Sequence, residues 1–436
     1  INNLAFVPAH YLKQFHPNYT DKAELDAKVA EAGFDSWTEL FAKEALPQLS
    51  GKRPSMAAWA PSGTSVSDQV FTIKRNPYYV GVDPAGNQLP YIDEVRFTFF
   101  ADKEALNLAA LSGEIDMQGR HINMSSYPVL KQNEDANSYH VITWPTFGGS
   151  DAVVMLNQTW QGPEGEMFRN KDFRIALSHA IDREAIKELA FFGIGEARQG
   201  VPAPFHPYYP GDEWAFKYTE YNPDLANQIL DGILPNKDAD GFRTLPDGSP
   251  LDIEISVVPA FANWPDIGQL IVQNWADVGV KAHIELRERT LHFSMRPANE
   301  LMAEIWNEDT TGFPFSGQPK FDPRSDPALT FAPLVGTWYK TNGAEGVEPS
   351  PEIKKLVDLI EEGKVSARGR QIEIAQELFK VWADNVWEIG TVGLTPMVQG
   401  VVVVNDNLHN VPAVAGNDWP LRTPGDTRPE QFFYAQ

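Results

Sequence analysis

The spacing of apolar residues changes period several times along the chain, and each change marks an element. Up to about residue 60 the pattern is helical. Pro8-Ala9-His10-Tyr11-Leu12 opens a helix, Lys22 to Ala32 is rich in helix formers behind Asp21 as cap and is closed by Gly33, and Ser36 with Glu39 has the spacing of a capping box. Pro61 to Asp68 is turn-like. The period then falls to two, giving strands at Val70–Lys74 and Glu94–Phe100 with a loop of Pro, Gly, Asn and Asp between them at 75–90. Asp102 caps a helix through Leu111 that Gly113 ends, Ile115–Met117 is a short strand, a helix starts near Ser125, and Tyr139–Trp144 is again a strand.

Ser150–Asn157 reads as a buried strand. Asp172–Ile181 is an amphipathic helix with Phe173, Ala176, Leu177 and Ala180 on one stripe, and Asp182 begins the next. Pro202–Pro210 is a Pro- and aromatic-rich surface loop. Asn222-Pro223-Asp224 supplies a cap, a proline at the first helical position and an acidic first turn for a helix reaching Ile233. The clearest unit is a βαβ crossover: strand Leu251–Val258, helix Asp266–Asp277 with Ile267, Leu270, Ile271 and Trp275 inward, then strand Val280–Leu286 parallel to the first. A helix over 291–300 leads into a strand over 301–305, followed by Trp306-Asn307-Glu308-Asp309 and a Gly/Pro-rich loop to about Pro333. Helices follow at 351–362 and 369–385, short strands at 388–403, and irregular text from 405 to 436. Strands alternating with helices predict an α/β layered architecture.

At 436 residues the chain is too long for one core and implies two or three domains. Its 59 acidic against 36 basic residues give a net charge of −23, which repels phosphate backbones and argues against nucleic acid as a partner. No run of eighteen apolar residues is present to span a membrane, and Ile1-Asn2-Asn3-Leu4 has neither the basic start nor the apolar stretch of a signal peptide. With no Cys, disulfides, thiol catalysis and thiolate metal sites are excluded. Aromatic residues make up 11%, which serves cores and also gives clefts that grip sugars or peptides.

Motifs of catalysis are missing: there is no phosphate-binding Gly-rich loop with Lys, no GxGxxG after a strand, no HExxH and no GxSxG. Asp238-Ala239-Asp240-Gly241 opens like a calcium loop but lacks the later acidic ligands, and reads as a hairpin turn. The nine His are scattered, which leaves no metal cluster and no cofactor to assign. Glu308 and Asp309 are adjacent, whereas glycoside hydrolysis needs two carboxyls facing each other across the bond. The position of Asn307, Glu308 and Asp309 is more informative, because ligands of open α/β sheets bind beyond the carboxyl ends of strands. Trp306 followed by these polar residues suits stacking plus hydrogen bonds; a solvated loop with helix caps is the alternative.

Five ordered motifs carry a resemblance. Arg75-Asn76-Pro77-Tyr78-Tyr79 with Leu89-Pro90-Tyr91-Ile92-Asp93, then Leu111-Ser112-Gly113-Glu114-Ile115-Asp116, resemble text of the extracytoplasmic solute-binding proteins of family 5, the dipeptide- and oligopeptide-type receptors of ABC importers. Asp172-Phe173-Arg174 through Ala180-Ile181-Asp182-Arg183 and Ile186, Asn222-Pro223-Asp224-Leu225-Ala226, and the βαβ unit continue the match in order.

The resemblance implies a two-lobed periplasmic binding protein-like fold of type II, in the large peptide-binder subclass, with mixed central sheets and a ligand cleft between lobes. Residues 1–150 would be the remainder of lobe I including the family's extra subdomain region, 151–390 lobe II, and 391–436 the return to lobe I with the C-terminal tail. Family members open with a strand-rich segment that nothing here matches, so the chain is expected to lack an N-terminal piece carrying the signal peptide and any lipid-anchoring Cys. The implied protein is exported, periplasmic or at the cell surface and monomeric. It hands its ligand to a transmembrane permease and catalyses nothing.

Peptide is the family default for the ligand, with an oligosaccharide of the cello-oligosaccharide kind as alternative and a carbohydrate hydrolase as the rival from another class. In peptide binders an Asp after the strand matching 301–305 receives the ligand's amino terminus, which makes Asp309 the candidate within Trp306-Asn307-Glu308-Asp309. The Asp-Pro that usually follows is displaced to Asp322-Pro323. Trp144 and Phe147 in the run WPTFGG, Arg120 with His121, and Trp264 are further candidate ligand contacts, each with a structural alternative as strand end, inter-lobe salt bridge or core cap. Arg296 reads as structural.

Overall fold

The computed structural model describes residues 7–46, 49–63, 66–122, 124–259, 262–316, 320–325 and 331–435. The chain's start at Ile1–Leu4 and parts of the expected turn at 61–68 and of the loop before Pro333 lie outside them. Two compact units result. One comprises Ile1–Asp116, Val404–Pro412 and Thr427–Gln436; the other comprises Met117–Val403 and Ala413–Asp426. Met117–Gln118 and Tyr139–Thr143 flank Val401–Asn405 in a three-stranded sheet, and the chain passes from the larger unit to the smaller within that central strand. These are units of packing, with boundaries other than those of the lobes expected at 1–150, 151–390 and 391–436, which enter below as part of the proposal.

In the smaller unit, Asp21 and Ser36 cap the helices Lys22–Glu31 and Trp37–Ala45, accepting from the N–H groups of Ala23 and Glu39. The capping box closes one residue early, since Glu39 accepts from the N–H of Asp35 at 3.1 Å. Trp59–Pro61, Val70–Arg75 and Glu94–Thr98 form an antiparallel sheet in that order.

The larger unit is built on a five-stranded mixed sheet in the order Glu388–Gly390, Val153–Leu156, Ala303–Trp306, Asp252–Val257, Lys281–Leu286. The βαβ crossover is present, with Asp252–Val257 parallel to both Lys281–Leu286 and Ala303–Trp306. Val153–Leu156 runs antiparallel to its two neighbours. The carboxyl ends of four strands therefore meet the entry to Val153–Leu156 at one edge. The helix Trp264–Asp277 lies so close to the sheet that a Cβ added to Gly268 would come within 2.8 Å of Ile284. Its Ile267, Ile271 and Trp275 are fully buried, each worth roughly 1.5–3 kcal/mol of apolar transfer.

The motif residues that carry the resemblance act as clamps inside this unit. Asp182 caps the helix Arg183–Phe191 through the N–H of Ala185, and Asn222 caps Pro223–Ile233 through that of Leu225. Arg183, 1% exposed, donates to the carbonyls of Gly390 (2.9 Å) and Ser178 (2.8 Å) and to the Ser178 hydroxyl (2.7 Å). Arg174 donates to the carbonyls of Phe168 and Asn385. Both bind helix Lys171–His179 to the strand region near 390. One helix and one strand differ from their pattern: the helix expected at 291–300 is Arg289–Met295, and the strand expected at 301–305 starts at Ala303 and includes Trp306. The turn at Asp238–Gly241 is a turn, in which Asp238 accepts from the N–H groups of Asp240 and Phe242.

Replacing Arg183 by Leu strips donors from buried carbonyls, each costing about 1–3 kcal/mol when left unpaired. Arg183→Leu is expected to lower unfolding free energy by about 3 kcal/mol or more in urea titration; a loss below about 1 kcal/mol contradicts the clamp.

Candidate functional site

At the carboxyl edge of the large sheet, the run Trp144–Gly149 passes directly over Asn307–Thr311. The N–H of Glu308 donates to the carbonyl of Ser150 at 2.8 Å, and that of Gly149 to the Thr311 hydroxyl at 3.1 Å. The approach is possible only without side chains. A Cβ on Gly149 would lie 2.7 Å from the Glu308 carbonyl oxygen, and one on Gly148 would lie 2.9 Å from an Asp418 carboxyl oxygen.

Five carboxyls are sealed at this edge. Asp151, Glu308, Asp309, Glu388 and Asp418 are all under 5% exposed. Lys320 pairs with Asp309 at 2.5 Å and also donates to the Asn307 carbonyl (2.5 Å) and side-chain oxygen (3.1 Å). Asp309 further accepts from the N–H of Trp419 at 3.1 Å. Glu308 turns one oxygen to the N–H and hydroxyl of Thr310 (2.7 and 2.6 Å) and leaves the other unpartnered; neither oxygen of Glu388 is partnered.

Burial sets the protonation of this group. It raises the Glu308 carboxyl above its ordinary value, and raises Glu388 well above it with the Glu308 charge as second cause. Asp151 is pushed up to about 8 by burial, against hydrogen bonds from Thr395 and Thr146. Asp418 is pushed up to about 7, again by burial, although the N–H groups of Phe147 (2.7 Å) and Gly148 (2.9 Å) donate to it. Glu308 and Asp309 thus face inward partners rather than an open glycosidic bond, which removes the geometry the hydrolase alternative requires.

The exposed material beside this edge is aromatic. Phe147 is half-buried and meets Phe205 edge to face at 5.0 Å, and Phe205 is 66% exposed. The Phe147 ring rests against the backbone of Gly416, where an added Cβ would lie 2.8 Å from it. Trp419 is 48% exposed and carries the Arg422 guanidinium over its ring at 3.6 Å. Together these give flat faces fixed by backbone bonds, a surface suited to stacking a ring or an apolar side chain.

Several expected contacts lie behind that surface instead. Trp144 and Trp264 are 1% exposed and Trp306 is 7% exposed. Trp306 closes its strand, so its side chain joins the core: it packs on Trp264 at 4.9 Å, stacks on His292 at 5.8 Å and takes the Arg296 guanidinium at 4.4 Å. Trp264 donates its indole N–H to the Asp151 carbonyl at 2.9 Å. Arg296 is structural, donating twice to buried Glu304, which also contacts His292. Arg120 and His121 are half-buried neighbours, with Nε of Arg120 3.4 Å from the His121 ring nitrogen. Phe147, Asn307, Glu308 and Asp309 are brought together at one edge. Phe205, Asp418, Trp419 and Arg422 join them from segments whose pattern indicated only a surface loop and an irregular tail. Among the described residues no three His, Cys, Asp or Glu are placed to hold a metal ion, and no helix is long and apolar enough to cross a membrane.

Comparison with known proteins places the chain in a family. The model of bacterial extracellular solute-binding proteins, family 5 (middle region), matches residues 63–326, and the chain belongs to that family. A solved oligopeptide-binding protein OppA superposes with a TM-score of 0.73 at 34% identity, covering 99% of this chain and 70% of its own. The periplasmic binding protein MelB from Agrobacterium fabrum C58, in complex with stachyose, shares the fold at a TM-score of 0.66 and 19% identity, over 98% of this chain and 62% of its own. A periplasmic alpha-galactoside-binding protein of Rhizobium meliloti (strain 1021) is 24% identical over 93% of this chain and 56% of its own length. The chain thus spans roughly half the length of the curated relatives it matches. The α/β architecture with mixed sheets is that of the type II periplasmic binding proteins.

The buried acids set a pH dependence. Asp151 keeps its proton in the folded state up to about pH 8 but loses it near its ordinary value of 3.8 when unfolded. Between those values the unfolded state binds fewer protons, so stability falls as pH rises. Asp151→Asn is expected to flatten that slope and to exceed the wild type at pH 9 by on the order of a few kcal/mol in urea unfolding. A wild type whose stability rises from pH 5 to 8, unchanged by the substitution, contradicts it.

Proposed function

We propose that this chain is the ligand-capturing part of an exported receptor of an ABC importer, periplasmic or at the cell surface, which takes up a peptide and delivers it to a transmembrane permease without converting it. Family membership and the 34% likeness to an oligopeptide-binding protein support that reading. The observation that carries it is the aromatic surface of Phe147, Phe205 and Trp419, fixed at the carboxyl edge of the sheet directly over the Asp309 carboxyl. Capture would proceed by stacking on these faces and by closure of the lobes 1–150 with 391–436 and 151–390, which excludes water. Asp309 would receive the ligand's ammonium group by exchanging Lys320 for it. Asn307 and Glu308 would complete the polar edge, with Trp144, Trp264 and Trp306 as the packed wall behind. A lipid anchor on the remainder of the protein belongs to the same proposal.

An oligosaccharide is the second reading, favoured by one feature of the site. Lys320 and the Trp419 N–H already occupy Asp309, and a sugar needs only the aromatic faces and scattered hydrogen bonds. The relatives named for alpha-galactoside and stachyose agree with it.

Titration calorimetry with a tripeptide set and with stachyose separates the two. Trp419→Ala is expected to weaken whichever ligand binds at least tenfold, about 1.4 kcal/mol. Asp309→Ala is expected to weaken the peptide as much; peptide binding that survives it unchanged removes Asp309 as anchor. Chromatography of the incubated ligand should show it intact, and cleavage products would overturn the receptor reading.

A further inference from the structure

The loop that presents Phe205 also presents a histidine with one ring nitrogen open. Ala203 donates its N–H to the Phe147 carbonyl at 3.0 Å, and the N–H of His206 returns to the Ala203 carbonyl at 2.9 Å. This turn holds Phe205 edge to face on Phe147 and brings the next residue, His206, against the loop that follows Asp309. A Cβ added to Gly312 would lie 3.5 Å from His206 Nε2 and 3.9 Å from its Cδ2. Glycine at 312 therefore leaves that nitrogen uncovered, where any longer side chain would lie against it.

The ring's orientation and tautomer are fixed from its other side. The N–H of Tyr208 donates to Nδ1 at 3.2 Å, so Nδ1 carries no proton and the neutral ring holds it on Nε2. The imidazole packs on the Tyr208 ring with centroids 4.8 Å apart, and Tyr208 lies edge-on to Phe315 at 5.9 Å. Arg368 sits over the Tyr208 ring at 5.0 Å and donates to its hydroxyl. Burial first, and then the Arg368 charge, hold the imidazole below its ordinary range, which keeps it neutral at neutral pH. Nε2 meets no hydrogen-bond partner among the described residues. A preset N–H donor thus stands half-buried and unused beside the loop 309–312.

A donor already fixed in place loses little further freedom when an acceptor reaches it. Its surroundings decide which acceptor suits it. A carboxylate favours a second proton on the ring, which burial and Arg368 oppose, whereas a hydroxyl or carbonyl oxygen needs only the neutral N–H.

We infer that the Nε2–H of His206 is a specificity-determining donor of this site, taking an uncharged oxygen of a ligand whose face stacks on Phe205. A sugar hydroxyl and a peptide carbonyl share that chemistry. The inference rests on the receptor reading above and adds a directional contact to it. The aromatic faces select a flat group, and the imidazole selects where an oxygen projects from it.

Titration calorimetry on the whole chain, with stachyose and with a tripeptide set, tells the two sources apart. Ring-nitrogen NMR of isotope-labelled histidine reports the donor itself, its signal assigned by its loss in His206→Gln. Nε2 is expected to be the protonated nitrogen in the free chain, and the ligand that binds is expected to slow exchange of its proton with water. His206→Phe keeps a ring without the donor and is expected to weaken that ligand at least tenfold. His206→Gln, which restores an N–H near the same place, is expected to stay within about threefold of the wild type. Gly312→Leu leaves His206 in place but covers it, and is expected to weaken binding as much as His206→Phe does. Unchanged affinity in both His206→Phe and Gly312→Leu, or an Nε2–H that exchanges as fast with ligand as without it, overturns the donor role and leaves the receptor reading in place. Absence of binding heat with stachyose and with every tripeptide overturns both.

Discussion

The close passage of Gly148 and Gly149 over Glu308 and Asp309 is the constraint on which the site depends. It brings a backbone to within van der Waals reach of a strand end, and the bond from the Glu308 N–H to the Ser150 carbonyl locks it. A side chain at either glycine would force the two runs apart. Because they stay together, the N–H groups of Phe147 and Gly148 can be gathered by Asp418, and Asp418 carries Trp419 with it. One contact between two chain segments thereby fixes both the aromatic surface and the acidic layer beneath it.

That layer is costly on electrostatic grounds. Carboxyls this deeply buried are kept neutral or paired, since an unpaired buried charge costs far more than a hydrogen bond returns. Lys320 settles Asp309, Thr310 settles half of Glu308, and burial raises the others toward neutrality. Desolvated polar groups of this kind rigidify an edge when satisfied and leave it poised when not, and Glu388 with two unpartnered oxygens is of the second sort. The same stretch is where open α/β sheets hold their ligands. The aromatic surface and the partly unpartnered polar interior are therefore two sides of one wall.

Much of the frame is legible in the sequence because its determinants are local. Asp182 and Asn222 announce helix starts by the same geometry with which they cap them, and the apolar periods of 251–286 match a βαβ crossover whose strands are parallel as expected. The acidic edge after the strand was legible too, from Asn307-Glu308-Asp309 alone. Trp306 was not, because whether the last apolar residue of a strand ends it or follows it depends on pairing with Val153, which is remote in sequence. Asp418, Trp419 and Arg422 lie in text without period. Asp418 is placed by partners some 270 residues away and Trp419 by one 110 residues away, while Arg422 follows Trp419; the one local signal is a Trp and an Arg three apart. Sequence pattern reports what a segment does to itself, and this site is made of segments acting on each other.

The receptor reading requires that ligand sit on this one edge of the larger unit. Hydrogen–deuterium exchange of the chain, with and without a bound tripeptide or stachyose, decides it. Ligand-dependent protection is expected in 144–149, 307–311 and 417–422, with the helix 351–365 unchanged. Protection confined to other segments, with these three exchanging as in the free chain, would contradict it.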